Sequence, residues 1–263
     1  MQPTKLATVV EYSTGSTVSS EPHRKNKSEN TVGHPQALQI AIDGPAGAGK
    51  STVARRLADN LGYLYIDTGA MYRASTWLAL QNNVALNDGD AIARLARDSK
   101  IQLKPADETS DGKIRVFVND VEITRDIRTN RMSDMVAGVA ALGQVRTILV
   151  DKQRELAQEG RCVIDGRDIG TVVVPDAGLK IFLTASAEER ARRRQKELTA
   201  QGENPDFAAL LNSINERDHL DMNRAVSPLV RAVDAVEVVT DDMTIDQVVE
   251  ALEKLAREAF QPA

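Results

Sequence analysis

Apolar residues in this chain gather into short runs and then into spaced stripes, and the two patterns alternate. Leu38-Gln39-Ile40-Ala41-Ile42-Asp43 is a strand-sized run that stops in a glycine-rich turn; beyond it Val53, Leu57 and Leu61 recur at helical spacing. Tyr63-Leu64-Tyr65-Ile66 is a second strand, followed by a helix over about 69–81. Three more strand-sized runs come later, at Cys162-Val163-Ile164, Lys180-Ile181-Phe182-Leu183 and Val236-Glu237-Val238-Val239. Helical patterns occupy about 144–158, 187–199, 207–222 and 245–260. Strands alternating with helices predict an α/β fold, a parallel sheet covered by helices on both faces.

One region breaks the alternation. Between about 100 and 131, Ile101-Gln102-Leu103, Ile114-Arg115-Val116-Phe117-Val118 and Val121-Glu122-Ile123-Thr124 read as short β segments, with Asn119-Asp120 as a two-residue turn. This predicts a small antiparallel β insert, placed where ligands bind such sheets if it sits at the strands' carboxyl ends. Residues 1–36 are rich in Ser, Thr, Asn, Lys and Glu and lack a sustained period, which predicts a disordered N-terminal tail ahead of a domain over 37–263.

The composition, 42% apolar and 27% charged over 263 residues, is that of a soluble globular chain. No apolar stretch approaches the roughly 20 residues of a membrane span, and the beginning lacks the layout of a secretory signal. With a single cysteine, Cys162, and three scattered histidines, neither an internal disulfide nor a zinc site is expected. These features predict a cytoplasmic protein with no membrane partner. The formal net charge of −5 argues against a nucleic-acid polymer as partner. Yet 22 of the 33 basic residues are arginine, whose fork matches phosphate oxygens two at a time.

Gly44-Pro45-Ala46-Gly47-Ala48-Gly49-Lys50-Ser51 fits the phosphate-loop pattern G-x-x-x-x-G-K-[ST] in full, between a strand and a helix that runs on through Thr52. Its glycines let backbone N–H groups converge on an anion, and the helix start adds a positive dipole end. Lys50 would reach the β- and γ-phosphates of ATP and Ser51 would ligate Mg²⁺. A guanine switch would need N-K-x-D. The chain's Asn26-Lys27 is followed by Ser28-Glu29, so a small-molecule kinase is favoured.

On the acceptor side, Thr68 reads as the cap of a helix whose first turns carry Tyr72 and Arg73. The strand ending Asp165-Gly166-Arg167-Asp168 supplies a second magnesium-related carboxylate, Asp165. Arg190, Arg193 and Arg194 share a helical face suited to a transferring phosphoryl group, or else pair with Glu188, Glu189 and Glu197. Arg217, Asp221 and Arg224 share another, with an Arg217–Asp221 salt bridge as the plain alternative. His219 reads as a surface residue, since an ionised phosphate acceptor needs no base.

The phosphate loop, Asp67–Arg73, Asp165-Gly166-Arg167-Asp168-Ile169-Gly170-Thr171-Val172-Val173 and Asn223-Arg224-Ala225-Val226-Ser227-Pro228-Leu229 together resemble the bacterial cytidylate kinases. The resemblance implies a P-loop fold with a five-stranded parallel sheet, a nucleoside-monophosphate-binding insert at about 100–145 and a short lid at about 190–206. It implies ATP and Mg²⁺ as cofactors and CMP and dCMP as acceptors. Thr68, Tyr72 and Arg73 would contact the acceptor, Arg73 and Arg167 its phosphate. Arg146 and Asp168 would read the cytosine edge, Arg217 and Asp221 would hold the sugar, and Arg224 the phosphate. Arg190, Arg193 and Arg194 would belong to the lid side and join Lys50 and Arg167 in catalysis. One departure stands out: Val136-Ala137-Gly138-Val139-Ala140-Ala141 offers no serine hydroxyl near the base, so UMP would be excluded less strictly. Other small acceptors, shikimate among them, and a nucleotide-binding regulator without turnover are the competing readings. No exposed heptad or long apolar face requires a dimer, and a monomer is expected.

Overall fold

The computed structural model describes residues 38–260 apart from 108, 109, 111 and 159. The tail expected over 1–36 lies outside the described residues. Five strands, β1 (Gln39–Asp43), β2 (Leu64–Asp67), β6 (Cys162–Gly166), β7 (Leu179–Thr184) and β8 (Val236–Val239), form one parallel sheet in the order β2-β6-β1-β7-β8. Alternation along the strands decides which face each side chain enters. Ile40, Ile42 and Val163 join Val53 and Leu57 of α1 (Lys50–Leu61) and Val248 and Leu252 of α8 (Ile245–Phe260) in one core layer. Ala41, Cys162 and Ile164 face the opposite way, onto Val150 and Ala157 of α5 (Gly143–Ala157).

The antiparallel insert is also present, as β3 (Ile101–Lys104), β4 (Arg115–Val118) and β5 (Val121–Glu122). Asn119 and Asp120 both take positive φ, 49° and 66°, as the expected tight hairpin requires. Strand β5 ends at Glu122, two residues short of the expectation, although the Ile123 N–H still donates to the Val116 carbonyl at 2.8 Å. Ile123 instead sinks into the core against α2 (Thr68–Gln81), and Thr124 Oγ1 accepts the Val116 N–H. Two helices beside the insert escaped the sequence pattern. These are α3 (Gly89–Asp98), capped by Asp88, and α4 (Asn130–Ala140), capped by Thr129. The stretch Val136–Ala140 is therefore helical. Completing the fold are α6 (Ala187–Ala200) and α7 (Phe207–Asn223), which pack on each other. Among the described residues no single helix is long and apolar enough to cross a membrane.

The carboxyl ends of β2, β6 and β1 lie side by side, so Asp67, the Asp165–Asp168 segment and the glycine-rich loop converge. Asp43, the last residue of β1, fixes the turn after β6: its two carboxylate oxygens accept the N–H groups of Ile169 at 2.7 Å and Gly170 at 2.8 Å. That turn is a single π-helical one, Ile169–Val173, a form that recurs at functional sites. Burial outweighs these bonds and pushes the Asp43 carboxyl up to about 6, with the Asp168 charge adding and Lys50 opposing.

A buried carboxyl with a raised pKa lends stability while protonated and loses it as pH climbs to about 6, here on the order of 3 kcal/mol. Asp43→Asn cannot titrate. Measured by urea unfolding, the variant should gain on the wild type between about pH 4.5 and 7. A constant difference across that range would contradict the assignment.

Candidate active site

Strand β1 hands the chain to the phosphate loop through Gly44. At its φ of 148° a Cβ would stand 1.9 Å from the Leu183 carbonyl oxygen of β7, so only glycine passes. Gly49, left-handed at φ 89°, leads into α1 without a side-chain cap, leaving the first N–H groups of that helix available to an anion. Lys50 is buried inside the loop and donates to the Pro45 carbonyl at 2.7 Å. Burial, then the Arg167 charge, hold its ammonium well below the ordinary lysine range. Phosphate oxygens arriving there would reverse that penalty.

Next to Lys50, Ser51 Oγ donates to Asp165 Oδ2 at 2.9 Å and Tyr65 OH donates to Oδ1 at 2.8 Å. Burial, with the Asp67 charge adding, raises the Asp165 carboxyl. Among the described residues no cluster of three or more His, Cys, Asp or Glu is placed to hold a metal by itself. A hydroxyl and one buried carboxylate nevertheless fit Mg²⁺, which takes few protein oxygens and completes its shell with phosphates and water.

The expected cap, Thr68, is corrected. Asp67 caps α2, accepting the Ala70 N–H at 2.8 Å, and Thr68 is the first helical residue. Its hydroxyl instead donates to the Asp165 carbonyl at 2.7 Å, tying α2 to the end of β6. The Arg217–Asp221 bridge, the plain alternative on α7, does not form among the described residues. Asp221 turns to Arg167 Nε at 2.8 Å and lies 4.0 Å from Arg224 Nη1, because the chain beyond β6 brings a better-placed partner than the helix does. Arg146, buried in α5, pairs with Asp168 and donates to the Ala140 carbonyl; Arg224 Nη2 approaches the other Asp168 oxygen at 3.6 Å. Arg73 meets Asp67 at 3.3 Å.

These residues line one cleft of about 850 Å³. It brings together Gly47, Lys50, Ser51, Thr52, Thr68, Tyr72, Arg73, Arg146, Asp165, Arg167, Asp168, Arg190, Arg193, Arg194, Arg217, Asp221 and Arg224. Nine cationic side chains face five acidic ones there, so the cleft is positive although the chain is negative. Five residues of this lining carry buried polar atoms with no hydrogen-bond partner, Tyr72 OH, Arg73 Nε, Arg146 Nε, Arg217 Nε and Arg224 Nη2; outside the lining Arg128 Nη1 and Gln153 Nε2 are likewise unpartnered. Burial pushes the Tyr72 phenol up to about 12, so it stays a neutral donor. Buried donors rarely go unsatisfied, and their convergence marks where a ligand rich in acceptor oxygens belongs. Val136, Ala137 and Ala140 of α4 line the same cleft and bring no hydroxyl.

On the α6 side the ion pairing offered by the spacing forms for two of the three arginines, while Arg190 turns to Asp218 instead. Arg193 pairs with Glu189 and Arg194 with Glu197, yet all three arginines reach the cleft. Arg194 also donates to Asn130 of α4 at 2.6 Å, and Asn130 donates to Glu203 in the segment after α6, so the two walls touch. Sequence reasoning missed Asp67, Tyr65, Asp43 and Asp218. Asp67 and Asp43 end strands, a detectable signal, whereas Asp218 acts on Arg190, 28 positions away, and nothing local announces it.

The cytidylate kinase family profile matches residues 40–258. The cytidylate kinase of Exiguobacterium sibiricum is 49% identical over 224 residues, covering 85% of this chain and 99% of that one. That of Carboxydothermus hydrogenoformans is 50% identical over 215 residues, covering 82% of this chain and 95% of that one. The bifunctional pantoate ligase/cytidylate kinase of Trichormus variabilis is 50% identical over 222 residues, 84% of this chain; the match spans only 41% of that longer protein.

An adenosine triphosphate bound at the loop should raise the unfolding midpoint in proportion to ln(1 + [L]/Kd). Lys50→Ala should abolish the shift in a thermal melt; an unchanged shift would remove the loop as the anion site.

Proposed function

The chain belongs to the cytidylate kinase family, and on that premise we propose that it transfers the γ-phosphoryl group of ATP to CMP and dCMP, giving ADP and CDP or dCDP. The observation that carries the acceptor half is the set of unpartnered donors on Tyr72, Arg73, Arg146, Arg217 and Arg224, which line the same cleft as the phosphate loop.

A phosphate oxygen of the acceptor attacks the γ-phosphorus in line, and the bond to the β–γ bridging oxygen breaks. The acceptor oxygen is already ionised, so no base is needed, and catalysis reduces to positioning and charge stabilisation. Lys50 holds the β- and γ-phosphate oxygens. Arg167, with Arg73 and Arg224, holds the acceptor phosphate between the two halves. Arg146 and Asp168, which satisfy each other in the cleft, are set to exchange their mutual contact for the donor and acceptor edge of cytosine. Arg217 and Asp221 take the sugar, while Arg193 and Arg194 approach the transferring group from α6. Ser51 and Asp165 would hold Mg²⁺, which supplies charge neutralisation on the β- and γ-phosphates. Closure of the 190–206 lid over the 100–145 insert, whose walls meet at Asn130, Arg194 and Glu203, excludes water and limits wasteful hydrolysis. We place this reaction in the cytoplasm and assign it to a monomer.

ADP release from Mg-ATP, measured in parallel with CMP, dCMP, UMP, AMP and shikimate, tests the reading. Fast turnover should be confined to CMP and dCMP. UMP should trail CMP in kcat/KM by less than in an enzyme whose α4 wall carries a hydroxyl, because the absent hydrogen bond is worth ~1 kcal/mol. Turnover with shikimate alone, or with no acceptor, would overturn the proposal.

A further inference from the structure

The three arginines on α6 are not equivalent. The Arg190 side chain is 5% exposed, against 31% for Arg193 and 33% for Arg194. A guanidinium has five N–H donors, and Arg190 commits four to the protein itself. Nε donates to the Ala185 carbonyl at 3.0 Å and Nη1 to the Ala46 carbonyl at 3.0 Å. Asp218 takes the other two in a bidentate pair, at 2.9 and 2.5 Å. The stem is committed as well, since Arg190 Cβ lies 3.4 Å from where a Cβ on Gly47 would stand. To swing onto a transferring phosphoryl group, Arg190 would have to abandon Asp218, whose side chain is only 14% exposed.

Those contacts join three parts of the site. Ala46 lies in the phosphate loop, Ala185 follows β7, and Asp218 sits on α7 beside Arg217 and Asp221. Both of those neighbours face the acceptor half, and Asp221 grips Arg167. A helix moves as a body, so an acceptor that draws in Arg217 and Asp221 displaces Asp218 too. The bidentate clamp passes that displacement to Ala46 and so to the loop that cradles the triphosphate.

We infer that Arg190 and Asp218 form a positioning pair that couples occupancy of the acceptor half to the shape of the phosphate loop, so that the two nucleotides bind with positive synergy. This rests on the acceptor assignment above. The coupling is reciprocal by thermodynamic necessity: each ligand tightens the other by the same factor. It also assigns Arg190 a role other than contact with the reacting atoms.

The test is calorimetric titration of the full chain with a non-hydrolysable ATP analogue and Mg²⁺, with and without saturating CMP. Wild type should bind the analogue at least about fivefold more tightly in the presence of CMP. Asp218→Asn keeps the shape of the side chain and gives up its charge. It should bring the factor close to one while leaving the affinity for the analogue alone little changed. Arg190→Lys keeps the charge but loses the forked grip on Ala46 and Asp218. It should likewise bring the factor close to one, with a loss of affinity for the analogue alone because its contact to the phosphate loop goes too, and it carries the measurement if Asp218→Asn does not fold. A folded variant with an undiminished factor overturns the coupling, even if both affinities fall together as a purely structural role would produce. A wild type that phosphorylates CMP without any synergy overturns it as well. A wild type that neither binds CMP nor releases ADP in its presence overturns the acceptor assignment and the coupling together.

Discussion

A charge taken out of water must find a partner, and that constraint organises the whole cleft. Arg146 with Asp168, Arg167 with Asp221, Arg190 with Asp218 and Arg73 with Asp67 are all buried or half-buried pairs. Most of them join elements that are distant in sequence, so the carboxylates stitch α5, α6, α7 and the turn after β6 around one space. Removing a single partner from such a pair typically costs 3–5 kcal/mol, because the remaining charge is left buried and alone. The pairs leave a surplus of positive charge and several unsatisfied donors. The carboxylates therefore occupy only some of the places that ligand oxygens would fill.

The sheet explains why this space lies where it does. Placing β6 between β2 and β1 puts three carboxyl ends in a row, and each delivers part of the chemistry. Strand β1 delivers the phosphate loop, β2 delivers Asp67 and the start of α2, and β6 delivers Asp165 through Asp168. Asp43 locks the turn after β6, and Thr68 ties α2 to the Asp165 carbonyl. The phosphate loop, Asp67 and Asp165 thus stand on rigid strand ends, the placement that holds geometry most closely, whereas Arg217, Asp221 and Arg224 come from the far end of α7.

How much of this was legible in the sequence follows from the range of each interaction. The five strands and the phosphate loop are local patterns, and both appear where the periodicity places them. The hairpin at Asn119-Asp120 was equally local, because its turn depends on two residues. Helices α3 and α4 were missed: α3 has a local signal, an Asp88 cap and a buried Ile92, Ala93, Ala96 face, whereas Gly138 and the flanking alanines of α4 dilute an otherwise regular Met132, Val136, Val139 stripe. The partners of Arg193 and Arg194 lie about one helical turn away and are legible, whereas those of Arg146, Arg167 and Arg190 come from other elements and are not. Spacing along α7 suggested Arg217 for Asp221, whereas the fold supplies Arg167 from 54 positions away. Family resemblance points to residues that the fold gathers in one cleft, without revealing which are already engaged by the protein.

On this reading the cleft holds two anion sites, with the unpartnered donors belonging to the cytidylate. A crystal structure of the chain with a bisubstrate analogue, cytidine and adenosine joined through their 5′ oxygens by a polyphosphate, tests it most directly. Tyr72 OH and the free nitrogens of Arg73, Arg146, Arg217 and Arg224 should each meet the cytidylate end, while the adenosine-side phosphates fill the Gly44–Ser51 loop. A cytidine end lying outside the cleft, with those donors still unpartnered, would contradict the account.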